Sequence, residues 1–278
     1  MQFGSLSDVN ISTLAATFNH AFSDYVVPLH LSDIQFQNKL VSDSVRLELS
    51  AGVFDDGQLI GFILHGYDEV QGKPLAYNAG TGVIPEKRGQ KFTARMYDFM
   101  LPKLKAQGIQ SVHLEVITSN VVAHKTYRAI GFETLRTMDC YKGKVQLPET
   151  GPFQIKKLDE YDWPLMQSFW DWQPSWQNSV RAVTQVQDTN ISLGAYEENE
   201  LIGYMIYNPI SNRVQQFAVS PKYRRRGVGR QLFAHLVQPE GRDLVLVNID
   251  HGSHETDHFL RSLGMERFVQ QYEMTLPL

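Results

Sequence analysis

The chain has 278 residues, enough for one large domain or two of ordinary size. An apolar share of 42%, a charged share of 20% and a formal charge of −4 fit a folded, water-soluble protein and argue against general nucleic-acid binding. The single cysteine, Cys140, excludes an internal disulfide, no run reaches the roughly 18 apolar residues of a membrane helix, and MQFGSLSDVN lacks the pattern of a signal peptide, so a cytoplasmic protein that contacts no membrane is expected.

In chain order, a short strand near Phe3 precedes a helix over Ile11–Phe22 and a second from Ser32 to Leu40. LELSAGVF, QLIGFILHGY and LAYNAGTGVI follow, separated by Asp55-Asp56-Gly57 and a Gly/Pro turn at 72–74. They are expected to be three strands joined by hairpins. A helix over Thr93–Ala106, the strand SVHLEVI, a helix from Asn120 to Ile130 and a last strand complete the half.

From Phe153 the plan repeats. Helical regions are expected over Asp162–Trp172 and Trp176–Val186. The strands ISLGAY, LIGYMIY and VQQFAV follow, then a loop and helix, the strand DLVLVNI, a short helix ending before Gly264, and RFVQQYEM. Pro85 and Pro221 stand 136 residues apart, and Gly131-Phe132 and Gly264-Met265 stand 133 apart. A nearly constant offset indicates a duplication. The expected division is a first domain over 1–142, a polar Gly/Pro linker over 143–152 and a second domain over 153–278. Each is an α+β unit with a mixed, mainly antiparallel sheet and helices packed on it.

The most informative stretch is VQQFAVSPKYRRRGVGRQL. The apolar run Phe217, Ala218, Val219 ends at Pro221. A basic turn with Arg224, Arg225 and Arg226 leads to Gly227-Val228-Gly229, then Arg230 and a helical pattern. Glycines permit sharp turning and close approach, and a helix start offers unpaired N–H groups. That combination cradles a pyrophosphate. Arg224-x-x-Gly227-x-Gly229 resembles the coenzyme A loop of the GNAT superfamily of N-acetyltransferases, and the duplicated chain resembles its tandem members. It fits neither the three-glycine dinucleotide fingerprint nor the Gly-Lys-Ser/Thr ending of a Walker loop. The resemblance implies two GNAT-like domains, acetyl-CoA as cosubstrate, an amine acceptor and no metal. The aligned loop of the first half, with Val83, Arg88, Gly89, Gln90, Lys91 and Thr93, has Lys91 and Thr93 at the two glycine positions. A left-handed backbone at Lys91 would cost roughly 1–2 kcal/mol, which a phosphate contact could offset.

The first half also carries LEVITSNVVAHKTYRAIGF, which resembles the second motif of the family. The resemblance implies Glu115 as general base, Asn120 as a coenzyme contact and Tyr127 as the acid that protonates the departing thiolate. In the second half Asn248, Ser253 and Leu260 stand at those positions, with Asp250 or His251 as alternative bases. The coenzyme loop is thus better kept in one half and the acid/base residues in the other. The rival from another class is a catalytically silent acyl-CoA-binding or scaffold protein.

His254-Glu255-Thr256-Asp257-His258 fits the H-E-x-x-H zinc spacing, but it occupies the repeat position of an ordinary helix and is expected to be a solvated polar face. Trp170, Trp172 and Trp176 beside Pro174 could line an acceptor pocket, although core packing is the commoner use of such aromatics. Polyamine, aminoglycoside, amino acid and peptide N-terminus all remain open as acceptors.

Overall fold

The computed structural model describes residues 1–25, 29–145, 147, 151–236 and 243–278; residues 146 and 148–150 of the expected linker lie outside the described residues. β1 (Gln2–Ser5) leads to α1 (Ile11–Ala21), whose first turn is capped by Asn10 accepting from the Thr13 N–H at 2.7 Å. α2 (Asp33–Ser42) opens on a capping box between Ser32 and Gln35. β2 (Ala51–Asp55), β3 (Gln58–Val70), β4 (Lys73–Val83), α3 (Phe92–Ala106), β5 (Ser111–Ile117), α4 (Val121–Ile130) and β6 (Glu133–Gly143) follow. The second half runs β7 (Gln154–Lys157), α5 (Trp163–Gln167), α6 (Val180–Thr184), β8 (Ile191–Glu197), β9 (Glu200–Asn208), β10 (Arg213–Val219), α7 (Val228–Ala234), β11 (Leu244–Asp250), α8 (His254–Ser262) and β12 (Glu266–Pro277).

Two expectations change. Leu47–Leu49 forms a 3₁₀ turn, so the second strand begins only at Ala51. The helices expected over 162–172 and 176–186 shrink to α5 and α6. Ser179 is the reason for the second: its extended backbone (φ −66°, ψ 162°) ends the short turn Trp176–Asn178, and its hydroxyl then caps α6 by accepting from the Ala182 N–H.

Packing divides the chain into two compact units. The first is Met1–Leu135 with Tyr272–Leu278, and the second is Arg136–Gln271. In the first unit the strand order is β1-β2-β3-β4-β5, then the end of β12. β1–β2, β2–β3 and β3–β4 pair antiparallel, and β4 and β5 are parallel over Leu75–Tyr77 and Ser111–His113. Met96, Tyr97, Met100 and Leu104 of α3 are fully buried in its core with Ile63, Ala76 and Val112. Met274 belongs to the same core, and the Leu278 N–H donates to Gln110 O at 2.9 Å.

In the second unit the order is β6-β11-β10-β9-β8-β7, with the start of β12 beside β6. β6 pairs antiparallel with β11 from Leu244↔Gly143 to Asp250↔Met138, and β10 and β11 are parallel. Val228, Leu232 and Phe233 of α7 pack with Ile202, Met205, Val214 and Leu246. Burying each such side chain contributes about 1.5–3 kcal/mol. Sequence copy and packing unit therefore differ at their ends. Each unit is completed by the last strand of the other copy. Both strands follow a left-handed glycine, Gly131 (φ 115°) and Gly264 (φ 86°).

Candidate functional site

Both units build the same strand-to-loop corner. β9 and β10 slip register between Val214 and Gln216, leaving Gln215 as a bulge. β3 and β4 do so at Ala79, between the pairs Leu64↔Gly80 and His65↔Asn78. A bulge bends its strand and breaks the ladder. The parallel pairing of β10 with β11 is accordingly limited to Arg213↔Val245. Beyond it Val214–Val219 of β10 and Leu246, Asn248 and Ile249 of β11 line a common cleft of about 600 Å³.

The loop after β10 turns twice through the left-handed region, at Arg225 (φ 61°) and Gly227 (φ 91°). The first unit repeats both turns at Gly89 (φ 81°) and Lys91 (φ 57°). The backbone demand is thus identical, and each copy has placed its glycine at a different one of the two positions. Strain falls on Lys91 in one loop and Arg225 in the other. α7 begins at Val228, with Gly227 at the N-cap position and no side-chain cap. Gly203 lets α7 approach β9: a Cβ there would lie 2.9 Å from Val228 Cγ1.

The first arginine of each loop is a strut. Arg224 donates to Val219 O at 3.1 Å, Phe169 O at 2.9 Å and Asp171 Oδ1 at 2.7 Å. Arg88 makes the equivalent bonds to Val83 O, Ala21 O and Asp24. These bonds draw Asp24's pKa below the usual carboxylate range. Gln90 likewise folds back onto Lys87 O at 3.3 Å. Arg226 donates to Glu197 at 2.8 Å and lies 4.8 Å from the Tyr223 ring centroid, outside the cleft lining. Of the second-half residues singled out in the sequence, Phe217, Ala218, Val219, Arg224, Arg225, Gly227, Val228, Gly229 and Arg230 all line the cleft.

The sequence-derived acid/base residues stand in the first unit. Glu115, half-buried on β5, accepts from the Tyr77 hydroxyl. Asn120 caps α4, its Oδ1 accepting from the Ala123 N–H at 3.1 Å. Tyr127 is buried, and its hydroxyl accepts at 3.4 Å from the Asn78 amide, which also donates to Tyr97 at 2.8 Å and Thr81 at 2.7 Å. Burial pushes the Tyr127 phenol up, so it keeps its proton at neutral pH.

Their counterparts in the second unit do other work. Asn248 is buried in a left-handed kink (φ 62°), donating to Ser175 Oγ and accepting from Gln271, each at 3.0 Å. Leu260 is core, and the Ser253 hydroxyl donates to Thr256. The alternative bases are engaged elsewhere. Asp250 pairs with Arg136 at 3.0 Å, and His251 pairs with Asp139 at 2.9 Å; neither lines the cleft.

Sequence reasoning left several lining residues aside. Glu255 and His258, read as a solvated helix face, are exposed but belong to the cleft lining, together with Phe259 and Ser262 of α8. Among the described residues no group of three His, Cys, Asp or Glu side chains is arranged to hold a metal. Trp170, Trp172 and Pro174 line the cleft, whereas Trp176 does not. Tyr204, Gln216 and Asn178 line it too and carried no motif; the paired amides of VQQFAV at the bulge were the available signal.

The sequence profile described as the acetyltransferase (GNAT) family matches twice, at residues 14–132 and 155–265. A tandem GNAT protein from the clavulanic acid biosynthesis pathway has a similar solved structure. The TM-score is 0.74 at 13% identity, covering 99% of this chain and 98% of that one. A GCN5-related N-acetyltransferase from Sphaerobacter thermophilus gives a TM-score of 0.70 at 14% identity, covering 99% and 95%. No curated protein matches the chain by sequence. No helix among the described residues is long and apolar enough to cross a membrane.

Proposed function

The chain belongs to the acetyltransferase (GNAT) family, and from that premise we propose that it transfers an acetyl group from acetyl-CoA to an amine acceptor, with the coenzyme held in the cleft of the second unit. The observation that carries this reading is the convergence on one cleft of the β10 end, the twice-turned loop and the α8 face. Loop N–H groups near Gly227 and Gly229 and the uncapped start of α7 suit a pyrophosphate, and Arg225 and Arg230 supply charge. Arg224 acts by holding the loop in shape.

Transfer is direct within a ternary complex. The acceptor nitrogen forms a bond to the acyl carbon, the carbon–sulfur bond breaks, and the proton lost by the amine balances the thiolate released. Proximity supplies much of the rate. A cytoplasmic location accords with this use of coenzyme A.

A second seat is the first unit, favoured by two hydrogen-bonded pairs, Tyr77 with Glu115 and Asn78 with Tyr127. There Glu115 takes the amine proton and Tyr127 protonates the sulfur. A general acid and a general base acting on one substrate each contribute about 100- to 10,000-fold. The measurement is release of free coenzyme thiol from acetyl-CoA with a panel of amines. Tyr127→Phe that slows turnover without weakening acetyl-CoA binding places chemistry in the first unit. Turnover lost on Gly229→Val but kept in Tyr127→Phe places it in the second. Acetyl-CoA binding with no turnover on any amine refutes the enzyme reading in favour of a silent binder.

A further inference from the structure

The walls of the second unit's cleft carry information about the acceptor. Trp170 packs on the cluster of Met166, Phe169 and Tyr204, and Trp172 packs on a separate core cluster. Trp170 Nε1–H donates to Tyr204 Oη at 2.5 Å, Tyr204 donates onward to Gln216 Oε1 at 2.9 Å, and Gln216 donates to Asn178 O at 2.5 Å. Along the chain Trp170–Tyr204–Gln216–Asn178 these polar atoms are spent on one another, whereas the buried Gln215 Oε1 beside them in the lining finds no partner among the described residues. What the wall offers a ligand is rigid aromatic surface.

The charges point the same way. Two carboxylates line the cleft, Asp171 and Glu255, against Arg224, Arg225 and Arg230. Asp171 is already bound to Arg224 at 2.7 Å. Among the described residues that leaves Glu255 as the one lining carboxylate not held by an arginine, enough to accompany one ammonium. A second or third ammonium in the cleft would find no further free carboxylate in the lining and would face Arg225 and Arg230 instead.

Resting on the acetyltransferase reading, we infer that the acceptor taken by this cleft is a monoamine on an uncharged aromatic body, seated against Trp170 and Trp172, and not a polycation such as a polyamine or aminoglycoside. Trp172 is a specificity-determining residue, acting through contact area.

The test uses the full chain with saturating acetyl-CoA and follows thiol release with tryptamine, 2-phenylethylamine, spermidine, kanamycin and an alanyl peptide. The arylalkylamines should exceed spermidine and kanamycin in kcat/KM by at least about tenfold, within the range that apolar pockets achieve. Trp172→Ala should raise KM for tryptamine by about tenfold with acetyl-CoA affinity kept, and Trp172→Phe, which keeps a ring on the core cluster, should recover most of it. A polycation or the alanyl peptide turned over as well as tryptamine overturns the inference, and so does an unchanged KM in Trp172→Ala. Should no amine be acetylated although acetyl-CoA binds, the acetyltransferase reading has failed separately. Calorimetric titration of the amines into acetyl-CoA-loaded protein then decides. Binding of tryptamine with spermidine silent upholds the inference, and the reverse, or silence of both, overturns it.

Discussion

His65 makes the stability of the first unit depend on pH in a way that can be worked out. It sits on β3 opposite Asn78 with no exposed surface. Nδ1 lies 2.7 Å from Leu49 O and donates to it, while the buried Nε2 finds no partner among the described residues. A proton on Nε2 would have no acceptor, and burial pulls the pKa down to about 4. The unfolded chain titrates at about 6.5. The folded state therefore favours the neutral ring, and this contribution is complete above about pH 6.5 and is lost as pH falls towards 4. Between pH 7 and pH 5 the loss is about 2 kcal/mol, from the proton uptake of the unfolded chain alone. Urea unfolding of the parent and of His65→Leu at both pH values isolates this contribution from all other titrating groups. The parent should lose about 2 kcal/mol more than the variant on acidification. Equal losses, or an imidazole NMR titration with its midpoint above pH 6, would refute the reasoning.

Lys91→Gly should stabilise the first unit by about 0.5–1 kcal/mol, since relief of the left-handed backbone outweighs the added freedom of the unfolded glycine. Gly227→Ala should do the opposite in the second unit, both read by denaturant midpoints. Gly203→Ala forces Val228 and the start of α7 outward, so acetyl-CoA should bind about three- to tenfold more weakly; unchanged affinity would remove the second-unit loop from coenzyme binding. Treatment with a chelator should leave melting temperature and acetyl transfer unchanged, and His254→Gln with His258→Gln should shift stability by no more than about 0.5 kcal/mol. Stoichiometric zinc with chelator-sensitive activity would restore the H-E-x-x-H spacing as a metal site.

Much of the candidate site was legible because its demands are local. Turn chemistry around Arg224–Gly229 and the cap at Asn120 depend on near neighbours in the chain. The strain at Lys91 could be anticipated for the same reason, since one residue's backbone angle decides it. The Ser179 break has no local signature, because a serine can sit within a helix or cap one and only packing selects.

The sequence by itself determined the duplication, the strand-loop-helix corner in each copy and the uneven division of family residues between them. These follow from periodicity, glycine placement and spacing, which act over a few residues at a time. Only the tertiary structure decided that most of β6 packs in the second unit and the end of β12 in the first, because two strands of equivalent pattern carry no local preference for a partner. It likewise decided which side chains face ligand and which are struts. Arg224 is tied to Asp171, Phe169 and Val219, while Trp170, Trp172, Glu255 and His258 come to the cleft from segments far apart in the chain. A side chain's partners across the fold set its role, and those partners are chosen by packing over long separations, which no local pattern encodes.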